Sequence, residues 1–140
     1  LVRDDGAAIH VGRALAALPL PADTVVEIRP NLGFDLLELV QGDDRLILVD
    51  AMSTGRPPGT CVIQDGREIE RYAVSGAPSH SLGVAELMEL AHQMRPDQRL
   101  PGITFIGIEG RDFEEYGSDL SPEVRAAIPV AVELVRQQLG

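Results

Sequence analysis

Four consecutive aliphatic residues, Leu46-Ile47-Leu48-Val49, run straight into Asp50, Ala51 and Met52. A near-continuous apolar run of this kind is how a strand buried on both faces of a parallel sheet reads, because neither of its faces alternates with solvent. The pattern therefore predicts a central strand from Arg45 to Val49, with Asp50 at its carboxyl end. Ile103 to Ile108 has the same character and also runs into a carboxylate, Glu109. Thr24 to Ile28 is rich in β-branched residues and predicts another strand. Thr60 to Ile63 and Glu68 to Tyr72, joined through Asp65-Gly66, predict a small edge hairpin.

Between these runs the apolar positions fall at helical spacing. Ala8, Val11, Leu15 and Leu18 form one stripe, preceded by Asp4 and Asp5 as candidate caps and ended by Pro19 and Pro21. Phe34 to Val40 predicts a short amphipathic helix after the turn Pro30 to Gly33. Val84, Leu87, Met88 and Ala91 predict another that extends to the neighbourhood of Met94. Ser121-Pro122-Glu123 combines a cap, a proline at the first helical position and an acid near the positive end of the dipole. The helix it opens would bury Val124, Ile128, Ala131, Val135 and Leu139. Alternating helices and strands require crossover connections. The expected fold is a three-layer α/β domain, with a mostly parallel twisted sheet and helices on both faces.

The chain has 140 residues, the size of one domain, so residues 1–140 are expected to form a single domain. Its net charge is −10, from 22 acidic and 12 basic residues, a field that repels phosphate backbones and anionic lipid surfaces. Neither nucleic acid nor a membrane is an expected partner. With no run of about twenty apolar residues and no signal-like start, a cytoplasmic protein is expected. Cys61 is the only cysteine, so an internal disulfide and a thiolate zinc site are excluded. There is no lysine at all, which removes P-loop phosphate binding, Schiff bases and lysine general bases.

In open α/β sheets ligands bind beyond the carboxyl ends of the strands, which makes Asp50 the first candidate for chemistry. Asp5, in the opening loop, and His80, at or just before a helix start, are expected to converge on the same edge. Two carboxylates and an imidazole suit nickel, zinc or manganese, with positions left open for a substrate group. A helix N-terminus beside His80 favours the neutral, ligating imidazole. Each residue also has a plainer reading, with Asp5 as a cap, Asp50 as a turn-former and His80 as a cap or solvated loop residue. His10 and His92 fall within helices as surface histidines. Cys61 reads as a small core residue, and neither Ser79 nor Ser81 stands in a nucleophile elbow.

Four stretches, taken together, resemble the endopeptidases that mature NiFe hydrogenases by trimming the C-terminus of the large subunit. They are Asp4-Asp5-Gly6, Leu48-Val49-Asp50-Ala51, Ser79-His80-Ser81-Leu82-Gly83, and Gly107-Ile108-Glu109 with Leu120-Ser121-Pro122-Glu123-Val124. The resemblance implies that Asp5, Asp50 and His80 are the metal-facing, catalytic trio. It also implies that they recognise nickel already inserted in the precursor, so the nickel arrives with the substrate. The implied partner is the NiFe hydrogenase large-subunit precursor, and the protein itself is expected to be a monomer. That family begins with a hydrophobic strand and a Gly-x-Gly-Asn turn ahead of the acidic pair, whereas this chain starts after them. A domain truncated at its N-terminus and lacking its first strand is therefore expected. Where the family carries an Asp-Gly-Gly-Thr-like turn, this chain has Arg29-Pro30-Asn31-Leu32.

Two other readings compete. A non-catalytic nickel-sensing or chaperone module could use the same fold and trio. A receiver-type signalling domain also pairs early acids with a strand-end aspartate, but it needs a lysine that is absent here.

Overall fold

In a computed structural model the protein is described over residues 6–28, 45–65, 93–94, 102–111 and 120–139. Within these, helix α1 spans Ala7–Ala16 and is followed by strands β1 (Leu46–Met52), β2 (Cys61–Asp65) and β3 (Ile103–Glu109) and by helix α2 (Pro122–Leu139). The strands form one sheet in the order β1-β3-β2. β1 and β3 are parallel, with Leu46 opposite Ile103 and Asp50 opposite Gly107. β2 runs antiparallel to β3, with Cys61 opposite Ile108. The described sheet is thus mixed, with β2 at one of its edges, paired antiparallel to β3. The predicted second arm, Glu68 to Tyr72, lies outside the described residues, as do the helix predicted over Phe34 to Val40 and most of that predicted from Val84. Its last expected residue, Met94, is helical together with Gln93.

Side chains alternate across a sheet, so the register sorts them into two faces. Ile47, Val49, Ala51, Ile106, Ile108 and Cys61 share the face that packs on the helices, meeting Ala7, Val11 and Leu15 of α1 and Val124, Ala127, Ala131 and Val135 of α2. Each fully buried Ile or Phe here contributes roughly 1.5–3 kcal/mol. Leu48, Asp50, Met52, Phe105, Gly107 and Glu109 share the other face, which is also withdrawn from solvent at Leu48, Met52 and Phe105. Burial on both sides explains why β1 and β3 read as continuous apolar runs, and it is what a three-layer arrangement requires.

Four sequence expectations change. Thr24 to Ile28 forms no strand: β-branched residues favour extended backbone, but a strand exists only where a neighbour supplies ladder bonds, and none of the described strands does. Instead Ile28 packs on α1 so closely that a Cβ on Gly12 would lie 2.7 Å from its Cγ1. The buried stripe of α1 is accordingly Ala7, Val11, Gly12 and Leu15, with Ala8 only half-buried and Leu18 exposed, because the helix stops at Ala16. The N-cap position of α1 falls on Gly6, which has no side chain to cap with, one residue past the expected caps; Asp4 and Asp5 themselves lie outside the described residues. β1 runs on past Asp50 to Met52, since β3 is equally long and continues the ladder to Glu109.

The start of α2 follows its sequence signal, with Pro122 as first residue and Arg125 donating its N–H to the Ser121 carbonyl at 2.9 Å. Pro129 falls inside the helix and removes one backbone donor, on the exposed side where water can satisfy the freed carbonyl. At the other end the Arg45 guanidinium, just ahead of β1, donates to the carbonyl and the side-chain oxygen of Gln138.

Candidate functional site

Asp50 is the fifth of the seven residues of β1 and lies on the face opposite the described helices. Its cross-strand partner is Gly107, so no side chain stands beside it on β3. Met52 and Phe105 fill that gap: a Cβ on Gly107 would meet the Met52 Sδ at 2.6 Å and the Phe105 Cε1 at 2.9 Å. Asp50 is half-buried, and its Oδ1 accepts the Ala51 backbone N–H at 2.8 Å. A carboxylate at the carboxyl half of a parallel strand pair can, when ionised, ligate a cation or accept a proton.

The rest of the expected trio, Asp5 and His80, lies outside the described residues. Among the described residues no three His, Cys, Asp or Glu side chains gather as a metal group. His10 sits exposed on α1, in keeping with a surface role. Cys61 is half-buried on the helix-facing side of β2, with its Sγ directed at the Ala127 and Gly59 carbonyl oxygens at 3.7 and 3.8 Å. Burial raises its pKa and so holds it as a thiol, a poor nucleophile, which fits the reading of a core residue.

Sequence reasoning assigned no role to Glu109, although it noted that β3 runs into a carboxylate. In the fold Glu109 is 2 % exposed and on the same face as Asp50. Its Oε1 accepts the backbone N–H groups of Thr54 and Arg56 at 2.7 and 3.1 Å, and its Oε2 accepts the Thr54 hydroxyl at 3.0 Å. The Thr54 oxygen in turn accepts from the Arg56 guanidinium at 2.6 Å. Main-chain bonds reinforce the contact, from the Gly59 N–H to the Glu109 carbonyl and from the Glu109 N–H to the Thr60 carbonyl, both 2.8 Å. The loop that leaves β1 three residues after Asp50 is therefore fastened to the end of β3 along its length. A carboxylate at a strand end, with Thr54 and two glycines in a loop stiffened by Pro57 and Pro58, was the available signal. What it lacked was the pairing between them.

The comparisons with known proteins agree on one family. Residues 31–138 match the family model described as hydrogenase maturation protease. The hydrogenase expression/formation protein HupD of Rhizobium leguminosarum bv. viciae is 33% identical over 104 residues, 72% of this chain and 50% of that protein. Protein FrxA of Pyrococcus furiosus is 31% identical over 135 residues, 94% of this chain and 93% of that protein. The chain thus spans about half the length of the HupD relative and nearly all of FrxA. Among solved structures, the NiFe hydrogenase maturation protease HybD from Thermococcus kodakarensis superposes with a TM-score of 0.74 at 28% identity, covering 100% of this chain and 93% of that one. The hydrogenase maturating endopeptidase HybD from Escherichia coli gives a TM-score of 0.82 at 27% identity, covering 99% and 85%. With its parallel strand pair, its buried sheet and a family model matched over most of its length, this chain belongs to the hydrogenase maturation protease family.

Proposed function

We propose that this protein is an endopeptidase that removes the C-terminal extension of a NiFe hydrogenase large-subunit precursor once nickel has been inserted. The observation that carries the reading is Asp50, a half-buried carboxylate at the carboxyl half of the parallel strand pair β1 and β3, in a chain of this family. Asp5, Asp50 and His80 are the residues assigned to face the metal, and nickel is part of the substrate. The chain has no lysine, its one thiol is held protonated, and no serine elbow is present in the sequence. Peptide hydrolysis then uses a water molecule. Water adds to the scissile carbonyl while a carboxylate takes its proton, and the amine leaves with a proton as the C–N bond breaks. In this reading the nickel anchors the precursor and aligns its scissile bond with the carboxylate that serves as base.

Asp50→Asn tests the reading, because the amide keeps the side chain's shape but loses its charge. Cleavage of the nickel-loaded precursor is expected to fall by about 10²- to 10⁴-fold, the range for losing a positioned base, with an unchanged thermal melt. His80→Ala is expected to fold and to lose processing as well. Full processing by a folded Asp50→Asn, or equal cleavage of nickel-free precursor by the parent, sinks the reading. A parent that binds the loaded precursor without shortening it favours the chaperone alternative.

A further inference from the structure

The strand order β1-β3-β2 forces the connection from β1 to β2 to pass over the carboxyl end of β3. That is the edge of the sheet beyond which ligands bind in α/β folds. The connection, residues 53–60, is a constrained structure. Gly55 and Gly59 both take φ of +86°, Thr60 donates its N–H and hydroxyl to the Pro57 carbonyl, and Glu109 gathers Thr54 and Arg56 on one buried carboxylate. Its residues divide by direction. Thr54, Arg56 and Gly59, which hold it down, are half-buried, while Ser53, Gly55, Pro57 and Pro58 are exposed.

Resting on the reading of the chain as a maturation protease, we propose that residues 53–58 form one wall of the cleft that receives the precursor's C-terminal segment, and that Glu109 is the positioning residue that fixes this wall relative to Asp50. Both carboxylates rise from the same face of the sheet, one on β1 and the other two positions beyond its cross-strand partner on β3. The occupant is a peptide strand, because the exposed side of the wall offers small and apolar groups without charge, suited to a chain of any local sequence. Glu109 does not touch the reacting atoms in this assignment. It acts through Thr54, whose hydroxyl donates to Glu109 and accepts from Arg56, so that one oxygen sets the direction of both.

The test uses the intact protein with Glu109→Gln, Thr54→Val and Thr54→Ser, reading KM and kcat for cleavage of the nickel-loaded precursor, affinity for that precursor, and thermal melting. Gln keeps an acceptor for the two backbone amides, but its NH₂ cannot accept the Thr54 hydroxyl. Val preserves the shape of Thr54 without its oxygen. Both variants are expected to raise KM by about tenfold or more, as loss of orienting partners around a ligand site does. kcat should stay within about twofold and Thr54→Ser should return to parent values, since a group that only positions the substrate acts on binding shared by ground and transition states. A lowered melting temperature with unchanged KM in Thr54→Val overturns the proposal whatever Glu109→Gln does to folding. A parent that binds the precursor without cutting it ends the protease reading alone, since the affinity series still tests the wall. A parent that neither binds nor cuts ends both.

Discussion

Gly55 and Gly59 share one loop and one backbone angle, φ of +86°, yet differ in surroundings, which makes them a matched pair for measuring how firmly the loop is docked. An added Cβ at Gly55 would meet nothing within 4 Å, whereas at Gly59 it would lie 2.5 Å from the backbone oxygen of Glu123 and 3.0 Å from its carbonyl carbon. Ala at either position carries the left-handed backbone penalty of about 1–2 kcal/mol. At Gly59 it also meets a carbonyl in the first turn of α2, which cannot swing aside as a side chain can, and such overpacking costs about 1–3 kcal/mol more. The expected losses are about 1–2 kcal/mol for Gly55→Ala and about 2–5 kcal/mol for Gly59→Ala. With a urea slope near 2 kcal/mol per molar, the midpoints fall by roughly 0.5–1 M and 1–2.5 M. Equal midpoints for the two variants, with equal slopes, would refute the docking of this loop on α2.

Two further outcomes follow from the sheet. Gly107→Ala forces the Met52 sulfur and the Phe105 ring to yield, so urea unfolding should show a loss of about 1–3 kcal/mol; a neutral result would mean that the packing around Gly107 is loose. Burial raises the Cys61 pKa in the folded chain, so the folded state holds this proton more tightly than the unfolded one. The group's contribution to stability is therefore fully present at and below neutral pH and declines as pH rises through and past the range where an ordinary thiol titrates. Alkylation at mildly alkaline pH should accordingly be slower in the folded protein than in the urea-unfolded chain, and equal rates would contradict the burial of Cys61.

What could be read from the sequence and what could not divide along a physical line. β1, β3 and α2 were legible because burial on two faces, or on one helical stripe, writes a local period into consecutive residues. Asp50 was legible for the same reason, as a charge interrupting such a run, although the strand's continuation to Met52 depended on the length of its partner. Thr24 to Ile28 was misread because β propensity is a property of the residues, and strand pairing is a property of the neighbours. Gly12 offered a hint, since a glycine inside a helical pattern often marks a close approach, here by Ile28. Glu109 is the sharpest case. Its carboxylate stands at the end of an easily read strand, but the groups that give it meaning are Thr54 and Arg56, 55 and 53 positions away along the chain. Only the order β1-β3-β2 brings them over it, and a local pattern carries no trace of strand order. A residue whose role arises from a crossing connection is thus hidden from sequence periodicity even where its element is plain. Buried acids and bases at the ends of well-read strands are where such roles should be sought first.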